Sequence, residues 1–157
     1  MLGVAQVRPH LLFGSAPQGR EDVEELARRG VTAVLCLQTD DDLAQYGLRW
    51  SAFEGWYAHR GIITRRVPIL DFSPDAIIAH LDETLGALAA LLNDGHTVYV
   101  YCSAGLNRSP TIVIAHLVRA EGRSLAEARD VVATARPAVQ PYERALDAIR
   151  VREESSR

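Results

Sequence analysis

Apolar and polar positions divide the chain into short apolar runs of strand length and longer stretches of helical period. Residues 4–15, VAQVRPHLLFGS, read as a strand, a turn at Arg8-Pro9 and a second strand ending at Gly14. Residues 18–30 form an amphipathic helix: Val23, Leu26 and Ala27 share a face, acids lead, Arg28 and Arg29 close it, and Gly30 stops it. Residues 31–37, VTAVLCL, are an apolar run of strand length interrupted only by Thr32, as in a parallel strand covered on both sides. Thr39 caps a short helix with Asp41 and Asp42 in its first turn. Residues 50–60 give an aromatic-rich helix carrying Trp50, Phe53, Trp56 and Tyr57. Residues 62–70, IITRRVPIL, read as a strand that Pro68 ends at an edge or bend. Ser73 caps a long helix that Pro74 opens and that runs to about residue 93. Residues 97–101, TVYVY, are a buried strand, and residues 111–121 a mostly apolar helix stopped by Gly122. Ser124-Leu125-Ala126-Glu127 is a capping box for a helix ending near Arg136-Pro137, and Pro141 starts the last helix. The pattern predicts an α/β fold: a central, mostly parallel sheet of about five strands flanked by helices on both faces, in a single domain over 1–157.

Composition narrows the function. With 157 residues, 48% of them hydrophobic, the chain can bury a sizeable core. Its net charge is −3 and its basic residues are dispersed, so neither a nucleic acid nor an anionic membrane is expected as partner. All 17 basic residues are arginine, which excludes Schiff-base chemistry and a Walker-type phosphate loop. Two cysteines make neither a disulfide framework nor a zinc site. Cys36, inside an apolar run, reads as a small buried hydrophobe, with a resolving thiol for Cys102 as the alternative. Asp40, Asp41 and Asp42 read as capping residues, since no second carboxylate cluster would complete a cation site. No leader or membrane span is recognisable, and the expected location is cytoplasmic.

The chemistry concentrates in residues 98–111, VYVYCSAGLNRSPT. A buried strand breaks at Cys102 into a small-residue loop, and Arg108, Ser109 and Pro110 open a helix. The residues between Cys102 and Arg108 can curl so that successive backbone N–H groups face one concavity, which the helix N-terminus makes more positive. Such a nest binds an oxyanion and favours a thiolate at Cys102. Arg108 adds a planar fork matching two phosphate oxygens. The expected result is a nucleophilic sulfur beneath a bound phosphate.

C-S-A-G-L-N-R-S has the C-x5-R-S/T form of the cysteine-dependent phosphatases and resembles their dual-specificity branch. The resemblance implies a metal-independent hydrolysis of phosphate monoesters, without cofactor, through a phosphocysteine. Cys102 attacks phosphorus, while the amides of Ser103, Ala104, Gly105, Leu106 and Asn107 hold the oxygens together with Arg108. Ser109 hydrogen-bonds the sulfur, and an aspartate on a strand-to-helix loop protonates the leaving oxygen. Asp71 fits that position, with Asp75 as its rival in a first helical turn. Tyr101 stands where many relatives have histidine.

VLCLQTDDDLAQYG, the aromatic helix, Asp71-Phe72 and CSAGL further resemble the plant starch-excess type of glucan phosphatase, whose loop has glycine where this chain has Asn107. The L-N-R ending also occurs in RNA 5′-triphosphatases of the superfamily. The resemblance implies a phosphorylated substrate, either glucan or phosphoprotein; a phosphate-binding module without turnover is a third reading. For glucan, Phe72 and Trp56 are the expected sugar platforms, with Tyr142 a weaker one; Arg65 and Arg66 suit a phosphoprotein.

Overall fold

The computed structural model describes residues 2–155. Among them β1 (Val4–Arg8), β2 (Leu11–Gly14), β3 (Ala33–Cys36), β4 (Ile63–Arg66) and β5 (Val98–Tyr101) form one sheet in the order β1-β2-β5-β3-β4. β1 runs antiparallel to β2, and the other three pairings are parallel. The expected mostly parallel five-stranded sheet is therefore present.

Both faces are covered, because side chains along a strand alternate between them. On β5, Val98 and Val100 join a core with Leu88, Leu117 and Leu146, whereas Tyr99 and Tyr101 join a second core with Val23, Phe53 and Tyr57. On β3, Ala33 and Leu35 enter the first core, and Val34 and Cys36 the second. The helices divide accordingly. α1 (Arg20–Arg28), α2 (Asp40–Gln45) and α3 (Trp50–His59) bury residues in the second core. α4 (Pro74–Ala79), α5 (Leu81–Asn93), α6 (Arg108–Glu121), α7 (Leu125–Ala135) and α8 (Glu143–Ser155) bury residues in the first.

The parallel strands are joined by helical crossovers, so the segments following β2, β3, β4 and β5 emerge at one edge of the sheet. Ligand sites in open α/β sheets lie at that edge.

Two elements differ from the expected pattern. The strand expected over 62–70 ends as β4 at Arg66, because Pro68 has no N–H for the ladder. Val67 N and Ile69 N still donate to Cys36 O and Leu37 O, both at 3.0 Å, which leads the chain along β3 toward the site. The long helix from Pro74 is interrupted at His80: α4 packs on α8, whereas α5 packs on α6 and the sheet. The three expected caps are present, with Thr39 Oγ1 accepting from Asp42 N at 3.1 Å, Ser73 Oγ from Ala76 N at 3.2 Å and Ser124 Oγ from Glu127 N at 3.1 Å. Among the described residues no helix is long and apolar enough to cross a membrane.

Leu88 is fully buried in the first core. Leu88→Ala should lower unfolding free energy by about 2–5 kcal/mol in a denaturant titration; a loss below about 1 kcal/mol would show that this core closes around the cavity.

Candidate active site

The turn between β5 and α6 brings Cys102 beneath the start of a helix. Cys102 is 2% exposed. Ser109 N donates to its Sγ at 3.4 Å, and Ser109 Oγ lies 3.3 Å from the same sulfur. The first turn of α6 thus directs the Ser109 N–H and the positive end of the helix toward the thiol, where they stabilise negative charge.

The loop carbonyls are fastened on the outside. Ser103 O accepts from Ala16 N at 2.9 Å, and Leu106 O from Gln140 N at 2.7 Å. Ala104 O and Gly105 O both accept from the Arg136 guanidinium at 3.1 Å. A trans peptide plane sets each N–H opposite the preceding carbonyl. With the carbonyls of 103–106 held outward, the amides of 104–107 turn toward the concavity. Gly105 is required for two reasons. Its φ is +73°, and a Cβ there would sit 2.4 Å from the Gly14 carbonyl carbon and 2.5 Å from Ser15 N.

Arg108, the first residue of α6, is only 1% exposed. Its Nη1 donates to Asp42 Oδ2 at 2.6 Å and to Ile69 O at 2.8 Å. Its Nη2 donates to Ser103 Oγ at 3.3 Å and lies 3.2 Å from Asp71 Oδ2. Nε is buried with no hydrogen-bond partner among the described residues. Two edges of the guanidinium are therefore committed to protein, while Nε retains a donor suited to an oxyanion.

Asp42 was not legible as a site residue. Thr39 and Asp42 form a reciprocal capping box, with Asp42 N donating to Thr39 Oγ1 at 3.1 Å and Thr39 N to Asp42 Oδ2 at 2.9 Å. The acid's helical position accounts for its type, and nothing along the chain links it to Arg108, 66 residues away. Burial alone would push Asp42 up, but Arg108 and the Thr39 amide hold its carboxyl below the usual carboxylate range.

Asp71 stands beside Arg108 in the turn after β4. Its Oδ1 accepts from Phe72 N at 2.9 Å and from the Tyr142 hydroxyl at 3.1 Å. Burial, then the charge of Asp71, pushes the Tyr142 phenol up to about 12, so it remains a donor. Asp75 instead pairs with Arg144 on the surface.

Phe72 is 83% exposed and adopts φ +57°, a left-handed conformation costly for a bulky residue. It and the exposed Leu70 flank the acid. Trp56 requires a correction: it packs edge-on against Phe53 at 5.0 Å between centroids, beside the second core. α3 returns the chain from the end of β3 to the start of β4, so its last turn lies toward the opposite edge of the sheet. Trp50, at the beginning of α3, is nearer the site end and carries Arg66 over its ring at 5.2 Å. Arg66 also binds Asp40 at 2.8 Å, so the acidic triplet serves as cap and ion-pair partner.

Cys36 and Cys102 are free thiols in the cores on opposite faces of the sheet. The placement removes Cys36 as a resolving partner, and burial pushes its thiol up. Tyr101 faces away from Cys102 as well, accepting from the Tyr57 hydroxyl at 2.9 Å in the second core.

A sulfur at a helix N-terminus, an inward-turned amide loop and a buried arginine define a cysteine-dependent phosphatase site. The comparisons agree: residues 13–154 match "Dual specificity phosphatase, catalytic domain", and the chain belongs to that family. Human "Dual specificity phosphatase 28" is 35% identical over 155 residues, covering 92% of this chain and 80% of its own. Castanea sativa "Phosphoglucan phosphatase DSP4, amyloplastic" is 31% identical over 132 residues, covering 83% of this chain and 35% of its own. The crystal structure of Tk-PTP in the active form superposes with a TM-score of 0.79 at 27% identity, covering 96% of each chain. That of human DUSP28 gives 0.73 at 30% identity, covering 98% of this chain and 94% of its own. Plant glucan phosphatases are thus relatives, but the expected special likeness to them is not singled out. The chain is a cysteine-dependent phosphatase of the dual-specificity type.

Asp42 carries a testable consequence. A carboxyl held below its unfolded value stabilises the fold above about pH 4 and loses that contribution as pH falls through the lowered native value. Asp42→Asn should therefore flatten the acid-side fall in melting temperature and lower kcat about tenfold or more. An unchanged acid limb together with an unchanged kcat would remove Asp42 from the support of Arg108.

Proposed function

We propose that the chain hydrolyses phosphate monoesters with Cys102 as nucleophile and Asp71 as general acid, and that phosphorylated glucan is its substrate class. The chemistry is supported by the meeting of Arg108 with Asp71 at 3.2 Å, six residues along the chain after a sulfur held by Ser109. Cys102 Sγ forms a bond to phosphorus as the ester P–O bond breaks, and Asp71 gives its proton to the departing oxygen. Inward amides of 104–107 and the Arg108 guanidinium take the equatorial oxygens, so no metal step enters. Water then attacks phosphorus, Asp71 accepts its proton, and the S–P bond breaks while Ser109 Oγ hydrogen-bonds the departing sulfur.

The glucan reading is carried by Phe72. The residue is 83% exposed beside Asp71, held there by a strained backbone rather than by packing. An apolar ring at that lip matches the apolar face of a sugar. The 31% identity to the chestnut phosphoglucan phosphatase supports the same class, although this chain spans about a third of that protein's length. A phosphoprotein substrate is the second reading, favoured by the 35% identity to dual specificity phosphatase 28 and by the exposed Arg65.

Two measurements test these assignments. For an aryl phosphate, kcat/KM should be bell-shaped in pH, the acid limb set by the thiolate and the alkaline limb by Asp71. Asp71→Asn should abolish the alkaline limb and slow poor leaving groups by about 10²–10⁴, good ones far less. Should Asp75→Asn produce this pattern instead, Asp75 is the acid.

The second measurement compares phosphate release from phosphorylated glucan, a phosphopeptide and a small aryl phosphate. Phe72→Ala should lower glucan turnover about tenfold or more and leave the aryl phosphate nearly unaffected, as expected for losing one buried aromatic contact. Equal losses on both, or a parent protein inactive on glucan, favour the phosphoprotein reading.

A further inference from the structure

The segment linking α7 to α8, residues 136–142, runs along the outside of the Cys102–Arg108 loop. Arg136 donates Nε to Gly105 O and Nη2 to Ala104 O, both at 3.1 Å. Gln140 N donates to Leu106 O at 2.7 Å, and Asn107 Nδ2 returns a bond to Gln140 O at 2.6 Å. Tyr142 N donates to Thr111 Oγ1 at 3.2 Å, while its hydroxyl holds Asp71. One short segment therefore grips three consecutive carbonyls of the loop, the start of α6 and the acid.

Arg136 has the most demanding part. It forms no ion pair with a carboxylate among the described residues, and its hydrogen bonds direct the cation onto two neighbouring peptide groups. The fork spans the peptide units on either side of Gly105, the loop residue with the freest backbone. Were either unit to rotate, a carbonyl would replace an amide on the phosphate side, and its negative end would oppose the dianion. A lysine ammonium cannot hold two carbonyls in that fixed geometry. The guanidinium also has a made seat: a Cβ on Gly3 would sit 2.3 Å from its Nη1.

We propose that Arg136 is a positioning residue, fixing the peptide planes of Ala104–Gly105 and Gly105–Leu106 so that the amides of Gly105 and Leu106 face the bound phosphate. The proposal rests on the phosphatase reading, but it concerns oxyanion binding and can fail separately. Sulfur chemistry is removed by working in a Cys102→Ser background, where inorganic tungstate serves as the probe and calorimetry reads its affinity. Adding Arg136→Ala should weaken tungstate about tenfold or more. Arg136→Lys keeps the charge and the aliphatic stem, so it guards against a variant that fails to fold; it should recover only part of the loss. In the active background, both variants should lower kcat/KM for an aryl phosphate without changing its dependence on leaving group, since Asp71 is untouched. Guanidinium ion at millimolar concentration should restore part of the tungstate affinity of Arg136→Ala and none of that of the parent.

Tungstate binding by Arg136→Ala within twofold of the parent would overturn the proposal. So would full affinity in Arg136→Lys, which would assign the effect to charge rather than to the fork. An inactive parent that nevertheless loses tungstate binding on Arg136→Ala would refute the phosphatase reading and leave the positioning role standing.

Discussion

Arg108 carries a full charge with almost none of its surface exposed. Burying an unpaired charge costs several kcal/mol, so the guanidinium has to be met by oxygen on nearly every side. The partners come from three separate parts of the chain: Asp42 at the start of α2, the Ile69 carbonyl after β4, and Ser103 in the loop itself. They coincide because parallel strands deliver their C-terminal ends to one edge. The sheet order puts β5 between β2 and β3, so the loop after β5 is flanked by the segments that follow both neighbours.

The same placement solves a backbone problem. A loop that turns its amides inward must satisfy its carbonyls outside, away from the ligand. Ala16, following β2, takes the carbonyl of Ser103, and the 136–142 segment takes the next three. Close approach on the β2 side depends on glycine at 105. A Cβ on Gly105 would enter the Gly14 backbone, whereas one on Gly14 would meet the Gly3 carbonyl oxygen on the side of β1. The glycine at 105 is thus a requirement of packing against β2 as well as of the loop's own conformation.

At the lip the economy is reversed, with an exposed phenylalanine in left-handed backbone. Its amide donates to Asp71 and to Tyr142 at once, at 2.9 and 2.8 Å. The strain of Phe72 and the position of the acid are therefore one feature. A residue that gains nothing from the core is held out in solvent beside Asp71.

Much of this was legible along the chain. The period of apolar residues determined the strands, the helices and the mostly parallel sheet, because burial on both faces leaves continuous apolar runs. Cys102, Arg108 and Ser109 were legible because a strand, a tight loop and a helix start are local, so their spacing already sets their relation. Asp71 was named through the resemblance to the phosphatases, and its 3.2 Å approach to Arg108 belongs to the tertiary structure. Other features were decided only by the tertiary structure. Asp42 had a sufficient local explanation as a cap, which concealed its bond to Arg108. Arg136 read as the end of a helix, and no periodicity links it to carbonyls more than 30 residues earlier. Trp56 and Cys36 carried the right residue types but lie on the wrong element end and the wrong face of the sheet. Sequence determines what each segment can form through interactions a few residues apart; which distant groups meet is fixed by the crossover path and by the side of the sheet to which each strand turns its residues.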